Sequence, residues 1–173
     1  MIYIVRHGQT DWNKVGRLMG HTDIELNDFG KQQALVVKEK LKGVKFDKVF
    51  SSPLKRAKET AEIIAGVEVS LDKRLMERGN GELEGKLKTE IKVFPNFNDP
   101  KDTRYNIEPL NDFKGRINSF LDEISKDYKG KNVLVVTHGG FCLYARCYFE
   151  GEPNGDLYET YKLNNCEILN YEN

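Results

Sequence analysis

Residues 2–10 read Ile2-Tyr3-Ile4-Val5-Arg6-His7-Gly8-Gln9-Thr10, four β-branched or aromatic residues that stop at two cationic side chains and a glycine. A run this short and this apolar on both faces predicts a buried strand of a parallel sheet. The same pattern recurs downstream. Lys48-Val49-Phe50 leads into Ser51-Ser52-Pro53, residues 67–71 give a third candidate strand, and Val133-Leu134-Val135-Val136 leads into Thr137-His138-Gly139-Gly140. Helical periodicity fills the gaps. Asn27 caps a helix to about Leu41 that carries Ala34, Val37 and Leu41 on one face. A serine cap with an early proline at Ser51-Ser52-Pro53 opens a second helix, with Leu54, Ala57, Ala61 and Ile64 inward. Asn111 caps a third, with Phe113, Ile117, Phe120, Leu121, Ile124 and Tyr128 on one side. Another helix begins near Phe141, and Tyr161-Lys162-Leu163 and Glu167-Ile168-Leu169 read as two closing strands around Asn164-Asn165. Strand alternating with helix predicts an α/β three-layer sandwich, a mostly parallel central sheet flanked by helices.

A chain of 173 residues fits one domain spanning 1–173, and its 39% apolar content supplies a core without cross-links. Residues 86–110 lose periodicity and contain Pro95, Pro100 and Pro109, which predicts a short helix and an irregular lid. Lys plus Arg and Asp plus Glu are both 27, so the formal charge is zero and nucleic acid is not an expected partner. The apolar run at the start is too short for a signal peptide or a membrane span, so the expected location is cytoplasmic, with no membrane partner. Cys142, Cys147 and Cys166 form no Cys-x-x-Cys pair, which argues against a disulfide framework or a zinc site.

In open α/β sheets ligands bind beyond the carboxyl ends of the strands. There the first strand delivers Arg6 and His7, the turn after the second delivers Arg56, and the strand at 133–136 delivers His138. Two arginines and two histidines at one edge repel one another unless an anion sits between them, and a phosphoryl group is the simplest such guest. Arginine offers a planar fork that stays charged at any working pH. An imidazole with one nitrogen tied by a hydrogen bond and the other bare can attack phosphorus.

Arg6-His7-Gly8-Gln9-Thr10 with Trp12-Asn13 resembles the R-H-G-x-T signature of the histidine phosphatase superfamily, the phosphoglycerate mutase-like fold. Ser51-Ser52-Pro53-Leu54-Lys55-Arg56-Ala57, Leu75-Met76-Glu77-Arg78 through Gly81, and Thr137-His138-Gly139-Gly140 follow in that family's order, so the resemblance covers nearly the whole chain. It implies a transient phosphohistidine on His7, with Arg6, Asn13, Arg56 and His138 around the phosphate and Gly20 among the substrate-binding positions. Glu77 is implied as the proton donor to the leaving oxygen and then the base for water. No metal or other cofactor is implied.

Each residue also has a plainer reading. Asn13 can be a turn residue, Glu77 shares an acidic loop with Glu82 and Glu84, and His21 reads as a surface or structural group. The family's mutases carry a longer insertion before Thr-His-Gly-Gly, a longer tail, and a hydroxyl residue where this chain has Met19 before Gly20. The expectation is therefore a phosphomonoesterase acting on a small phosphorylated metabolite. Mutase-type phosphoryl transfer and an inactive phospholigand-binding module are the alternatives. Lys86, Lys88, Lys92, Lys101 and Arg104 on the lid leave the substrate open, and oligomeric state is not legible.

Overall fold

The computed structural model of the chain describes residues 1–172. Its centre is a five-stranded sheet of β1 (Ile2–Arg6), β2 (Lys48–Ser51), β3 (Ser70–Leu71), β4 (Val133–Thr137) and β5 (Ile168–Tyr171), in the order β3-β2-β4-β1-β5. The first four strands are parallel, and β5 runs antiparallel on the edge beside β1. Around it lie α1 (Asp11–Val15), α2 (Asp28–Lys40), α3 (Lys55–Ala65), α4 (Leu110–Asp127), α5 (Gly139–Glu150) and α6 (Leu157–Tyr161). The expected sandwich is present.

The period of two along each strand divides the core. Ile2, Ile4, Val133, Val135 and Phe50 pack against α4 and α5, through Phe113, Ile117, Phe120, Leu121 and Phe141. Val5, Val49, Leu134 and Val136 point the other way, onto Ala34 and Val37 of α2 and Ala57, Ala61 and Ile64 of α3. Every residue of β4 is buried, as the central strand of a sheet covered on both faces must be.

The helices keep their predicted apolar faces; α2 is capped by Asn27 as expected, whereas α3 and α4 begin elsewhere. At α3 the N-cap is Leu54, with no side-chain cap of its own. Ser52 Oγ accepts the Leu54 N–H at 3.3 Å, and Asp23, distant in sequence, takes the Lys55 N–H at 2.7 Å. At α4 the cap is Pro109, whose carbonyl accepts from Phe113, and Asn111 lies exposed inside the helix. Proline presets φ near the helical value and has no N–H to satisfy, so it can open the helix without a capping side chain. Of the two closing strands only the second forms. Tyr161 ends α6, started by Asp156 capping Glu159, and its buried ring packs against the core instead of pairing in the sheet.

Up to the start of α4 at Leu110, the segment expected to hold a short helix and an irregular lid has only two short 3₁₀ turns, Lys88–Glu90 and Arg104–Asn106. Among the described residues no helix is long and apolar enough to cross a membrane.

Candidate active site

Parallel pairing places the carboxyl ends of β1, β2 and β4 on one edge. Arg6 sits opposite Thr137, and Ser51 opposite Val136, so His7, Ser52 and His138 are the next residues out of three adjacent strands. Beyond that edge opens a cavity of about 470 Å³ lined by Arg6, His7, Asn13, Gly20, Arg56 and Glu77, among others. All the predicted site residues except His138 line it. His138 is fully buried behind, its ring centroid 5.1 Å from that of His7.

His7 Nδ1 is 2.7 Å from the Gly8 carbonyl oxygen, which can only accept, so Nδ1 carries the proton and Nε2 is left with its lone pair. Burial first, then the charges of Arg56 and Arg6, hold the ring well below the ordinary histidine range. His7 is therefore neutral at pH 7. The second histidine is held the same way: burial and then Arg56 depress it, its Nε2 shares a 2.8 Å hydrogen bond with Ser52 Oγ, and its Nδ1 is buried without a partner.

The lack of a side chain at Gly8 serves packing. A Cβ there would meet the Gly30 carbonyl oxygen at 2.5 Å, so the loop after β1 and the start of α2 can touch only through two glycines. Thr60 ties the same loop to α3, accepting the Gly8 N–H and donating to the Arg56 carbonyl.

Arg56 is wholly buried, and burial pulls its guanidinium down to about 10, still cationic at neutral pH. It does not offer its terminal fork to the cavity. Nη1 and Nη2 donate to the carbonyls of Thr22 and Gly20 at 2.9 and 2.8 Å, and Nε is left buried and unpartnered. Arg6 repeats the arrangement: Nη1 donates to the Leu163 carbonyl, and Nε is unpartnered. An unmade hydrogen bond at a buried donor costs about 1–3 kcal/mol, so this edge holds guanidinium donors that an anion's oxygens would satisfy.

The turn that receives Arg56 is built by Glu84. Its Oε1 accepts from the His21 and Asn80 N–H groups, and its Oε2 from the Thr22 N–H and hydroxyl, at 2.6 to 3.1 Å. Burial would raise this carboxyl, but the Thr22 hydroxyl and the three backbone donors together bring it below its ordinary value. Gly20 has a positive φ of 51°, and a Cβ there would fall 2.1 Å from Glu84 Oε1. The sequence places Glu84 only in an acidic loop. Its donors lie four residues away and some sixty residues away, a pattern no local signal shows.

Glu77 is the one carboxylate among the residues lining the cavity. Its oxygens accept the N–H groups of Arg78 and Gly140, the latter in the first turn of α5. A Cβ on Gly140 would meet Glu77 Oε1 at 2.4 Å. Its backbone carbonyl is fixed by His21 Nε2 and Arg116 Nη2, and Arg116 also pairs with Glu108 and donates to the Arg74 and Met76 carbonyls. The neighbouring acidic residues are otherwise engaged: Glu82 is exposed and accepts from Asn106, while Glu84 holds the turn. Asn13 Oδ1 accepts from the Thr10 backbone N–H and lies near the amide of Asn165. Trp12 packs over Gly85. Among the described residues, no three His, Cys, Asp or Glu side chains gather as metal ligands would.

This arrangement, a histidine at a strand end inside a ring of arginines, falls within a family whose sequence pattern matches residues 2–172: the histidine phosphatase superfamily (branch 1). The chain belongs to that superfamily. It is 41% identical over 152 residues to phosphoglycerate mutase-like protein 4 of Arabidopsis thaliana, covering 80% of this chain and 66% of that one. To the metal-independent phosphoserine phosphatase of the same plant it is 36% identical over 152 residues, covering 80% and 64%. It thus spans just under two thirds of the length of either relative. Among solved structures, a mutant phosphoserine phosphatase of Entamoeba histolytica in complex with phosphoserine superposes with a TM-score of 0.82 at 30% identity, over 96% of this chain and 87% of the other.

Proposed function

We propose that the chain is a phosphomonoesterase that works through a phosphohistidine on His7. The observation that carries this reading is the state of that imidazole: neutral, its proton fixed on Nδ1 by Gly8, and Nε2 left as the nucleophile on the wall of a cavity lined by two buried-donor arginines.

An incoming phosphate monoester brings oxygens that take up the Arg6 and Arg56 donors. His7 Nε2 attacks phosphorus, the P–N bond forms as the P–O bond to the alcohol breaks, and Glu77 delivers a proton to the departing oxygen. Without that proton the alcohol would leave as a poor alkoxide. Glu77, now a carboxylate, takes a proton from water as the water attacks phosphorus; the P–N bond breaks, inorganic phosphate leaves, and His7 is restored. The arginines stabilise the charge that spreads over the phosphoryl oxygens in a loose transition state, with His138 packed behind His7. Guanidinium charge does here what a divalent cation does in other phosphatases.

Small phosphorylated metabolites are the substrate class, in keeping with the phosphoserine named for two of the similar proteins. Mutase-type transfer is the second reading, favoured by the mutase-like name of the Arabidopsis relative. One experiment separates the two: 3-phosphoglycerate is incubated with a bisphosphoglycerate primer in the presence of a chelator, and the products are followed by phosphorus NMR. Phosphate release that disappears in His7→Ala supports hydrolysis, whereas isomerisation without free phosphate contradicts it.

A further inference from the structure

The phosphate end occupies one corner of the cavity and leaves most of its volume unassigned. At about 470 Å³ it lies within the roughly 300–1,000 Å³ range of pockets that enclose drug-sized ligands, well beyond what a three-carbon phosphate fills. The remaining wall is chiefly apolar and aromatic: Phe94 and Phe97 from the segment before α4, Phe113 from α4, and Leu143 and Tyr144 from α5. Two features mark this half as a built surface. Phe94 and Phe97 stack edge to face at 5.8 Å, as Phe113 and Tyr144 do. Arg78 holds the first pair in place. Its Nη1 donates to the Phe97 carbonyl at 2.6 Å, its Nε to the Glu108 carbonyl at 2.7 Å, and its guanidinium lies 5.7 Å from the Phe97 ring centre. Arg78 is only 6% exposed and lines the cavity, yet its Nη2 is buried with no partner, a donor left for a ligand's acceptor. Of the cations that line this end, Lys162 is paired with Glu159 at 2.6 Å and Arg17 donates to the Gly85 carbonyl.

We infer that the alcohol half of the substrate carries a flat, aromatic-sized apolar group that lies between Phe94–Phe97 and Phe113–Tyr144, so that the enzyme selects bulky phosphate monoesters over three-carbon ones. The inference rests on the phosphomonoesterase reading for its catalytic readout and on the cavity wall for its own.

The test uses esters matched in leaving group. kcat/KM is measured for 2-phenylethyl phosphate, ethyl phosphate and phosphoserine, and the same compounds are titrated by calorimetry into His7→Ala, which reads binding without turnover. Enclosing a phenyl group between aromatic walls predicts a preference of roughly ten- to a hundred-fold for the phenylethyl ester over the ethyl ester in both measurements. Phe94→Ala with Phe97→Ala should erase that preference, lowering kcat/KM for the phenylethyl ester at least about tenfold more than for ethyl phosphate. If the double variant is unfolded by circular dichroism, Phe97→Leu, which keeps volume and loses the flat ring, should reduce the preference by at least threefold. Equal kcat/KM for the two alkyl esters, or phosphoserine as the best of the three, overturns the inference and leaves the phosphatase reading standing. Tight binding of the phenylethyl ester with no turnover of any ester overturns the phosphatase reading and leaves the pocket assignment standing.

Discussion

Replacing Glu84 with glutamine keeps the shape of the side chain and removes its charge. In the structure that carboxylate receives four donors: three backbone N–H groups, from His21, Thr22 and Asn80, and the Thr22 hydroxyl. An amide has one accepting oxygen; placed on the His21 and Asn80 N–H groups it leaves an NH₂ that can donate to the Thr22 hydroxyl, while the Thr22 N–H loses its acceptor. Hydrogen bonds to charged groups contribute about 1.5–3 kcal/mol each, so one lost bond and three that no longer end on a charge come to roughly 3 kcal/mol. Glu84 is partly exposed and water can replace some of this, so Glu84→Gln should destabilise the fold by about 2 kcal/mol. The functional consequence comes through the turn: the Gly20 and Thr22 carbonyls that fix Arg56 belong to the segment Glu84 holds. If Arg56 binds phosphate as proposed, its misplacement should lower kcat/KM about tenfold or more, equivalent to about 1.4 kcal/mol, and weaken inhibition by inorganic phosphate in parallel. Urea denaturation and steady-state kinetics on the same preparation measure both effects. A variant that loses stability while kcat/KM and phosphate inhibition stay within twofold would show that the turn holds Arg56 without the carboxylate, and the reasoning would fail.

The two buried histidines predict a pH dependence of stability. Both are lowered in the folded state, so below about pH 6.5 the unfolded chain binds protons that the folded chain does not, and stability falls with falling pH toward the lowered folded values. The slope should approach about 2.7 kcal/mol per pH unit, two protons' worth, with the full stability present above pH 6.5. Denaturant midpoints between pH 7 and 5 measure it, and a slope unaltered in His7→Gln/His138→Gln would assign it to other groups. Gly140→Ala places a methyl 2.4 Å from Glu77 Oε1, so it should displace the carboxylate. Hydrolysis of alkyl phosphates should then slow by about tenfold or more and that of p-nitrophenyl phosphate much less, since a good leaving group needs little proton donation. Equal slowing of both would remove Glu77 from the proton-donor role.

The strand and helix faces were legible because burial writes periods of two and 3.6 directly into the sequence, as in 2–5, 133–136 and the Phe113-to-Ile124 stripe. The edge at which Arg6, His7 and His138 gather follows from parallel pairing, and Arg56 reaches it from the first turn of α3. What escaped the sequence is held by partners far along the chain. Asp23 satisfies the first turn of α3, the Phe97 carbonyl anchors Arg78, and Glu84 supports a turn some sixty residues away. Backbone carbonyls leave no trace in residue identity, which is why a phosphate-facing fork was expected of Arg56 and a carbonyl-bound guanidinium was found. Tyr161-Lys162-Leu163 misled for the opposite reason. Its residues suit a strand, but the Asp156 cap and the burial of the Tyr161 ring favour one turn of helix.

The central claim is a covalent bond between phosphorus and His7 Nε2. Rapid quench of the enzyme with a ³²P-labelled phosphate monoester tests it most directly. An acid-labile, base-stable protein label should appear within the first turnover, reach about one per chain when breakdown is slow, and be absent from His7→Ala. Steady hydrolysis with no label at any quench time, or a label that persists in His7→Ala, would contradict it.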